Sequence, residues 1–262
     1  MITEERLGAG LREFTARLAD VVAVTGEAAR IPTCPEWSLR QLATHVGRAH
    51  RWAGEIVNRR ATEMVPFREA PDGKLPGDPA ARPRWLTAGA DGLIAAVADA
   101  GAEPVWTFAG LAPARFWLRR MAHETAVHCA DAELAVGRPV PVAADLAVDG
   151  ISEWYEIACG DLSGRPAPLA GGSTLHVHAT DDGLDGSGEW LLSGTASGVA
   201  VQPGHAAVGR GPGKESRADA VVRGPVATLF LVLMRRLPAD TPGIEVLGDA
   251  SVLHTWLANT AF

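Results

Sequence analysis

The sequence predicts an α plus α+β protein, with an N-terminal four-helix bundle followed by a small mixed α/β domain. Through the first half of the chain, apolar residues recur every three or four positions, as in amphipathic helices. The composition changes after the stretch GDLSGRPAPLAGG, and short β-branched runs then alternate with Gly and Asp turns. We therefore expect one domain at residues 1–160 and a second at residues 168–262.

The first two helices are separated by a proline-rich stretch. An apolar stripe predicts a helix from residue 3 to about residue 29. The two prolines of IPTCPEW cannot continue it. Ser38, with Gln41 three residues later, has the pattern of a capping box, so a second helix is expected from there to about residue 60.

Two further long helices complete the predicted bundle. Residues 65–83 are rich in Pro, Gly and Asp and are expected to form a long loop. A third helix is predicted over roughly residues 84–100. The fourth is predicted to begin near Pro113, a residue favoured in the first turn, and to end at Gly137. Four long helices with one long connection fit a four-helix bundle.

The remainder of the chain mixes helices and strands. A short helix is expected at about residues 144–159, within the first domain. The predicted strands are STLHVHAT, GEWLLSG, GVAVQPG, ADAVVRG and GIEVLGD. The segments PVATLFLVLMRRLP and ASVLHTWLANTAF are predicted helices.

Composition excludes several classes of function. A net charge of −7 with scattered arginines argues against binding to nucleic acid. No apolar run approaches the roughly 20 residues of a membrane span, and the N-terminus lacks a signal pattern. The three cysteines form no C-x-x-C pair, which indicates idle thiols. We expect a cytoplasmic monomer or weak dimer that acts on a small molecule.

The fourth predicted helix carries a candidate pair of metal ligands. Glu124 and His128 are four residues apart and share a helix face, whereas His123 and His128 are five apart and do not. The HExxH arrangement of zinc proteases is therefore excluded. Glu124 and His128 continue the apolar face of Trp117 and Met121, which predicts that they point into the bundle.

A third ligand is available on the second helix. His45 lies on the predicted core face of that helix, and His50, five residues later, points about 140° away. Together with Glu124 and His128, His45 makes a three-ligand set that would leave zinc an open fourth position. The alternative is structural: His45 as a satisfied core histidine, and Glu124 with His128 as a hydrogen-bonded pair.

Three segments resemble the mycothiol-dependent maleylpyruvate isomerase family of actinobacteria, which joins a DinB-like helical bundle to a sterol-carrier-like domain. They are IPTCPEWSLRQLATHVGRAHRWA, RRMAHETAVHCADAELAVG and ADAVVRGPVATLFLVLMRRLPADTPGIEVLGD. The resemblance implies Zn²⁺, or another divalent metal, bound by His45, Glu124 and His128, with mycothiol as the thiol cofactor. It also implies a cis–trans isomerase, in which the thiolate adds to an activated double bond and leaves after rotation.

Other residues are candidates for supporting roles. Asp131 is one turn beyond His128 and is a candidate partner for its second ring nitrogen. Arg235 and Arg236 are candidates for the catalytic site, and Arg223 for binding the cofactor, because a guanidinium holds carboxylates by a fork of hydrogen bonds. These arginines are equally compatible with an ordinary surface position.

Alternative functions remain open at this point. A mycothiol S-transferase or a tailoring enzyme of secondary metabolism would use the same site. A zinc-binding regulator or a carrier would be non-catalytic, although regulators of this type use paired cysteines and only Cys129 is near the candidate ligands. Cys129 stands where the family is expected to have an arginine, which favours a less acidic substrate than maleylpyruvate.

Overall fold

The computed structural model describes residues 2–160, 167–184, 186–204 and 218–260. The chain divides into two compact units, Met1–Pro141 and Val142–Phe262. Among the described residues, none of the helices combines the length and the apolar character that a bilayer span requires.

The first unit is built from four long helices, as predicted. They are α1 (Glu4–Val24), α2 (Leu39–Asn58), α3 (Arg82–Ala100) and α4 (Arg115–Ala135). Helix α1 packs against α3 and α4, and α2 also packs against α3 and α4, so each long helix buries an apolar face in one core.

The helix starts follow the local sequence. Thr3 caps α1 by accepting a hydrogen bond from the Arg6 backbone N–H. The predicted capping box of α2 is confirmed, because Ser38 accepts from the Gln41 backbone N–H and the Gln41 side chain accepts from the Ser38 backbone N–H.

Two antiparallel hairpins in the first unit were not predicted. The strands β1 (Arg30–Ile31) and β2 (Cys34–Ser38) form one, within the stretch that was expected only to interrupt the helix. The other pairs β3 (Pro104–Thr107) with β4 (Gly110–Pro113). The helix boundaries change accordingly, because α1 ends at Val24 rather than near residue 29 and α4 begins at Arg115.

The second hairpin explains the wrong assignment of Pro113. This residue ends β4 instead of opening a helix, and Ala114 occupies the N-cap position of α4 without a side-chain hydrogen bond. The turn is held by Thr107, whose hydroxyl donates to the Gly110 carbonyl. Gly110 has a φ of 104°, a conformation that glycine adopts without a steric penalty. The long loop of residues 65–83 contains short 3-10 turns at Phe67–Glu69 and Pro79–Ala81.

The described residues of the second unit form a five-stranded sheet and three helices. All five predicted strands are present, in the spatial order β7-β6-β5-β8-β9, and only β5 and β8 are parallel. The strands are β5 (Thr174–Ala179), β6 (Glu189–Thr195), β7 (Gly198–Pro203), β8 (Ala220–Gly224) and β9 (Glu245–Gly248). The helices are α5 (Ala144–Ala158), α6 (Val226–Leu233) and α7 (Ala250–Asn259).

Helix α5 groups with the second unit, although the sequence analysis placed it in the first domain. It packs against α6. Its Tyr155 ring contacts Trp190 of the sheet and Trp256 of α7, with ring centroids 6.1 Å and 5.4 Å away. The predicted boundary stretch, residues 160–172, lies partly outside the described residues.

Candidate metal centre

Helices α2 and α4 bring together the three predicted ligands. One potential ligand atom from each of His45, Glu124 and His128 lies within 4.8 Å of the other two. The Nε2 atom of His45 is 2.8 Å from Glu124 Oε1, and the Nε2 atom of His128 is 3.9 Å from that same oxygen. No other group of three potential ligands in the described part of the chain meets this distance criterion.

Helical spacing explains which histidines take part. Glu124 and His128 are one turn apart on α4, and the core face of α2 directs His45 towards them. His50 is fully buried and lies outside the group, with its Nε2 atom 2.8 Å from the Thr125 hydroxyl. His123 is also buried and is not part of the group.

The carboxylate of Glu124 is ionised at neutral pH. Burial raises its pKa, but the hydrogen bond with His45 and the electrostatic influence of His128 and Arg120 outweigh burial, so the pKa is lowered to about 2. Arg120 was missed by the sequence analysis, although it precedes Glu124 by four residues and is buried. The centre therefore offers one anionic oxygen between two imidazole rings.

The outer nitrogen of His128 is held by a buried carboxylate. Its Nδ1 atom lies 2.9 Å from Asp131 Oδ2, and Asp131 is fully buried. The other oxygen, Oδ1, accepts a hydrogen bond from the Thr33 hydroxyl. Asp131 therefore occupies the supporting position that the sequence analysis predicted, and an Nδ1–H donated to it leaves the Nε2 lone pair facing Glu124.

Aromatic rings flank the ligand set, and spacing on the two helices gave no indication of them. The Trp37 ring is 5.0 Å from the His45 ring and 6.0 Å from the His128 ring, nearly parallel to the latter. Phe67, in the first 3-10 turn, lies 6.0 Å from His45 on centroids. Trp52 packs on Phe67 and donates its indole N–H to the Val65 carbonyl. The sequence feature that could have indicated Trp37 is its position in IPTCPEW, part of a segment that resembles the family.

The thiol of Cys129 faces a different part of the first unit. Cys129 is fully buried, and burial together with the nearby Glu133 carboxylate raises its pKa to about 12. Arg17, of α1, binds that carboxylate through a 2.6 Å ion pair. Position 129 therefore points towards α1, and the expectation of a less acidic substrate from this residue stays a prediction. The idle character predicted for the thiol is supported.

The three arginines singled out in the second half of the chain have partners within the second unit. Arg223 of β8 forms a 2.8 Å ion pair with Glu245 of β9. Arg235, which follows α6, donates to the Leu257 carbonyl at 3.4 Å. Arg236 donates to the Met234 carbonyl at 2.8 Å. Their predicted roles in binding thiol or substrate stay predictions.

The ligand set fits a zinc ion by its chemistry. Two imidazole nitrogens and one carboxylate oxygen are a donor combination of catalytic zinc sites, which keep one position for water or substrate. Glu124 is partly buried, and an ionised carboxylate in such a position is costly unless it is paired or binds a metal. Nickel, cobalt and iron accept the same donors, so the set selects a class of divalent transition metals rather than one element.

A second cluster of the same residue types lies on the sheet of the second unit. Glu189 of β6 contacts His176 and His178, which are alternate residues of β5. The Nε2 atom of His176 is 2.7 Å from Glu189 Oε2, and the Nδ1 atom of His178 is 2.5 Å from Oε1. The two rings thus bind different oxygens of one carboxylate.

The chain is similar to known proteins in both sequence and fold. The family model described as "Mycothiol maleylpyruvate isomerase N-terminal domain" matches residues 10–133, and "MDMPI C-terminal domain" matches residues 145–255. The crystal structure of the mycothiol-dependent maleylpyruvate isomerase is similar, with a TM-score of 0.57, 17% identity, and coverage of 94% of this chain and 93% of that chain. A crystal structure of a mutant of that enzyme, with one histidine replaced by alanine, is also similar. Its TM-score is 0.57 and its identity 16%, with coverage of 94% of this chain and 93% of that chain. No curated protein matches.

Proposed function

Because the chain belongs to the mycothiol-dependent maleylpyruvate isomerase family, we propose that it is a zinc- and mycothiol-dependent enzyme that isomerises an activated cis double bond. The observation that supports the proposal is the convergence of His45, Glu124 and His128. These residues would hold the metal, and an ion bound there would supply positive charge that favours the thiolate form of a thiol.

The residues around the ligand set would prepare it for that chemistry. Asp131 accepts from the outer nitrogen of His128, so that the inner nitrogen is available as a ligand. Trp37 and Phe67 place apolar surface beside the imidazoles, which lowers the local dielectric and strengthens the interactions between charges. The carboxylate of Glu124, ionised at neutral pH, provides the negative charge that a divalent cation requires.

The second reactant would be mycothiol, which supplies a sulfur nucleophile that adds reversibly to the double bond and so permits rotation. We propose that Arg235 or Arg236 binds a carboxylate of mycothiol or of the substrate through a forked pair of hydrogen bonds. Arg223 is a weaker candidate, because its guanidinium already binds Glu245.

We also propose that the protein acts in the cytoplasm as a monomer or weak dimer, without a nucleic acid or membrane partner. The formal net charge of −7 supports the first exclusion. Sedimentation velocity over a range of concentrations tests the oligomeric state.

The experiment combines metal analysis with calorimetry and product analysis. Protein purified without chelator is expected to contain about one zinc per chain, to bind mycothiol only when zinc is present, and to convert maleylpyruvate or a related cis-enone to the trans isomer. His45→Ala is expected to abolish all three. His254→Ala, an exposed histidine of the second unit, is the matched control and is expected to change none of them.

The outcomes separate the alternatives. A stable thioether product instead of an isomer would favour an S-transferase on the same site. Zinc without mycothiol binding would favour a regulator or carrier. Correctly folded protein that contains no divalent metal would contradict the proposal.

A further inference from the structure

Each oxygen of the Asp131 carboxylate has its own hydrogen-bond partner, His128 for one and Thr33 for the other. Asp131 is fully buried, so each oxygen requires a donor to offset the loss of hydration. Oδ2 lies 2.9 Å from His128 Nδ1, and Oδ1 accepts from the Thr33 hydroxyl. The hydroxyl therefore restricts rotation of the carboxylate, and the carboxylate in turn restricts the imidazole.

Thr33 is placed there by the first hairpin. It lies in the turn between β1 and β2, where Ile31 pairs with Cys34. Ile31 is fully buried in a cluster with residues of α1 and α2, which fixes the turn against the bundle. The backbone N–H of Leu39 donates to Ala29, so the hairpin is also tied at its base.

The same hairpin supports the ligand set at a second point. Trp37 of β2 lies nearly parallel to the His128 ring, with a 22° angle between the planes and 6.0 Å between centroids. The imidazole of His128 is therefore hydrogen-bonded at its outer edge to Asp131 and flanked by the nearly parallel ring of Trp37. Only one ring nitrogen, Nε2, faces Glu124.

We propose that Thr33 is a positioning residue of the metal centre. Its hydroxyl, through Asp131, keeps His128 in the tautomer that carries its proton on Nδ1 and leaves Nε2 free to bind the cation. This inference rests on the proposed function for its metal. In the metal-free protein, His128 is already in the ligand tautomer before an ion arrives.

The test compares four variants of the full-length protein. Thr33→Val keeps the shape of the side chain and removes the hydroxyl, and Thr33→Ser keeps the hydroxyl. Thr15→Val is the matched control, because Thr15 is a buried threonine whose hydroxyl donates to the Leu11 carbonyl on α1. Thr33→Ala removes the same hydroxyl with a smaller side chain if valine prevents folding.

Two measurements are made on each variant. Zinc affinity is determined by competition with a chromophoric chelator. Loss of a partner behind a ligand typically weakens metal binding by 10–100-fold, and Thr33 acts one step further out, so we expect about tenfold weaker binding in Thr33→Val. The tautomer of His128 in metal-free protein is read from ¹⁵N shifts, with Nδ1–H in the wild type and a mixture in Thr33→Val.

The outcomes distinguish this inference from the proposed function. Thr33→Ser and Thr15→Val are expected to behave as the wild type in both measurements. Wild-type affinity and an unchanged tautomer in Thr33→Val and Thr33→Ala would overturn the inference and leave the zinc proposal standing. Absence of zinc binding in the wild type would overturn the proposed function, whereas the tautomer measurement would still decide whether Thr33 positions His128.

Discussion

Each unit contains one carboxylate between two imidazoles, and the two clusters differ in geometry. In the first unit, one oxygen of Glu124 faces both His45 and His128, and the three ligand atoms lie within 4.8 Å of one another. In the second unit, Glu189 presents a different oxygen to each histidine. The second set does not meet the distance criterion that the first one meets.

Secondary structure explains the difference. On α4, a four-residue spacing places Glu124 and His128 on one face, and α2 brings His45 to the same point. On β5, His176 and His178 are alternate residues side by side, and Glu189 on the neighbouring strand pairs opposite His178. The Glu189 carboxylate lies between the two rings, and each of its oxygens is hydrogen-bonded to one of them. The residue types alone therefore do not make a metal site, because convergence on one point is also required.

Support behind the ligands differs as well. His128 has Asp131 at its outer nitrogen. In the described part of the second unit, the Nδ1 atom of His176 is buried without a hydrogen-bond partner. An imidazole held at its outer nitrogen is restricted in ring orientation and tautomer, and that restriction is what metal ligands require.

The largest expected effect comes from exchanging the carboxylate of each cluster for an amide. Glu124→Gln removes a ligand charge and is expected to weaken zinc binding by more than about a hundredfold, beyond the effect of losing an outer partner. Glu189→Gln is expected to retain about one zinc per chain. Elemental analysis and chelator competition measure both. Loss of zinc in Glu189→Gln would show that the second cluster is the metal site.

His50 lies outside both clusters and is fully buried, so its titration shows the effect of burial without a carboxylate bound to the ring. Burial lowers the pKa of His50 to about 4, below its unfolded value near 6.5. The unfolded chain therefore binds this proton first as the pH falls. The stabilising contribution is complete above about pH 6.5 and is lost towards pH 4, by on the order of 3 kcal/mol.

Denaturation of metal-free protein between pH 7 and pH 4, followed by hydrogen exchange of α2 amides, measures this loss. His50→Gln has a side chain that does not titrate and is expected to flatten the pH dependence. Parallel pH profiles for the wild type and His50→Gln would contradict the assignment.

The smallest expected effect is on the free energy of unfolding, when the carboxylate of the second cluster, Glu189, is replaced. Burial raises the pKa of Glu189, but the hydrogen bonds from His176 and His178 lower it by a larger amount, so the net shift is downward. Its contribution to stability is complete above about pH 4.5 and is lost as the pH falls below that value. Glu189→Gln is expected to cost about 1 kcal/mol at neutral pH.

Urea denaturation at pH 7 measures this cost. Glu245→Gln is the control on the same sheet, because the Glu245 carboxylate is 57% exposed in its pair with Arg223, and exposed pairs contribute little. Equal destabilisation by the two substitutions would show that the shared hydrogen bonds of Glu189 add nothing beyond a surface ion pair.

The sequence was sufficient wherever the cause was local. Capping of α2 depends on Ser38 and Gln41, three residues apart, and both were identified. The choice of Glu124 and His128 over His123 depended only on the 100° turn of a helix per residue. The five strands of the second unit follow from alternation between turn residues.

The features that escaped prediction depend on contacts distant in sequence. Thr33 and Asp131 are 98 residues apart, and no pattern in either segment indicates that they meet. Strands β1 and β3, with two and four residues, are too short to show alternation. The surroundings of Cys129 follow from local geometry, because the neighbour of a ligand on a helix points about 100° away from it.

The hairpin that carries Thr33 also sets the order in which the centre matures during folding. Helix α4 can present Glu124 and His128 as soon as it forms, because both lie on one segment. The turn at Thr33 must first close a chain loop of 98 residues to reach Asp131, and closing a loop of that length carries an entropic cost that local helix formation does not. Capacity to retain the ion is therefore expected to appear late in refolding, after helical content has recovered.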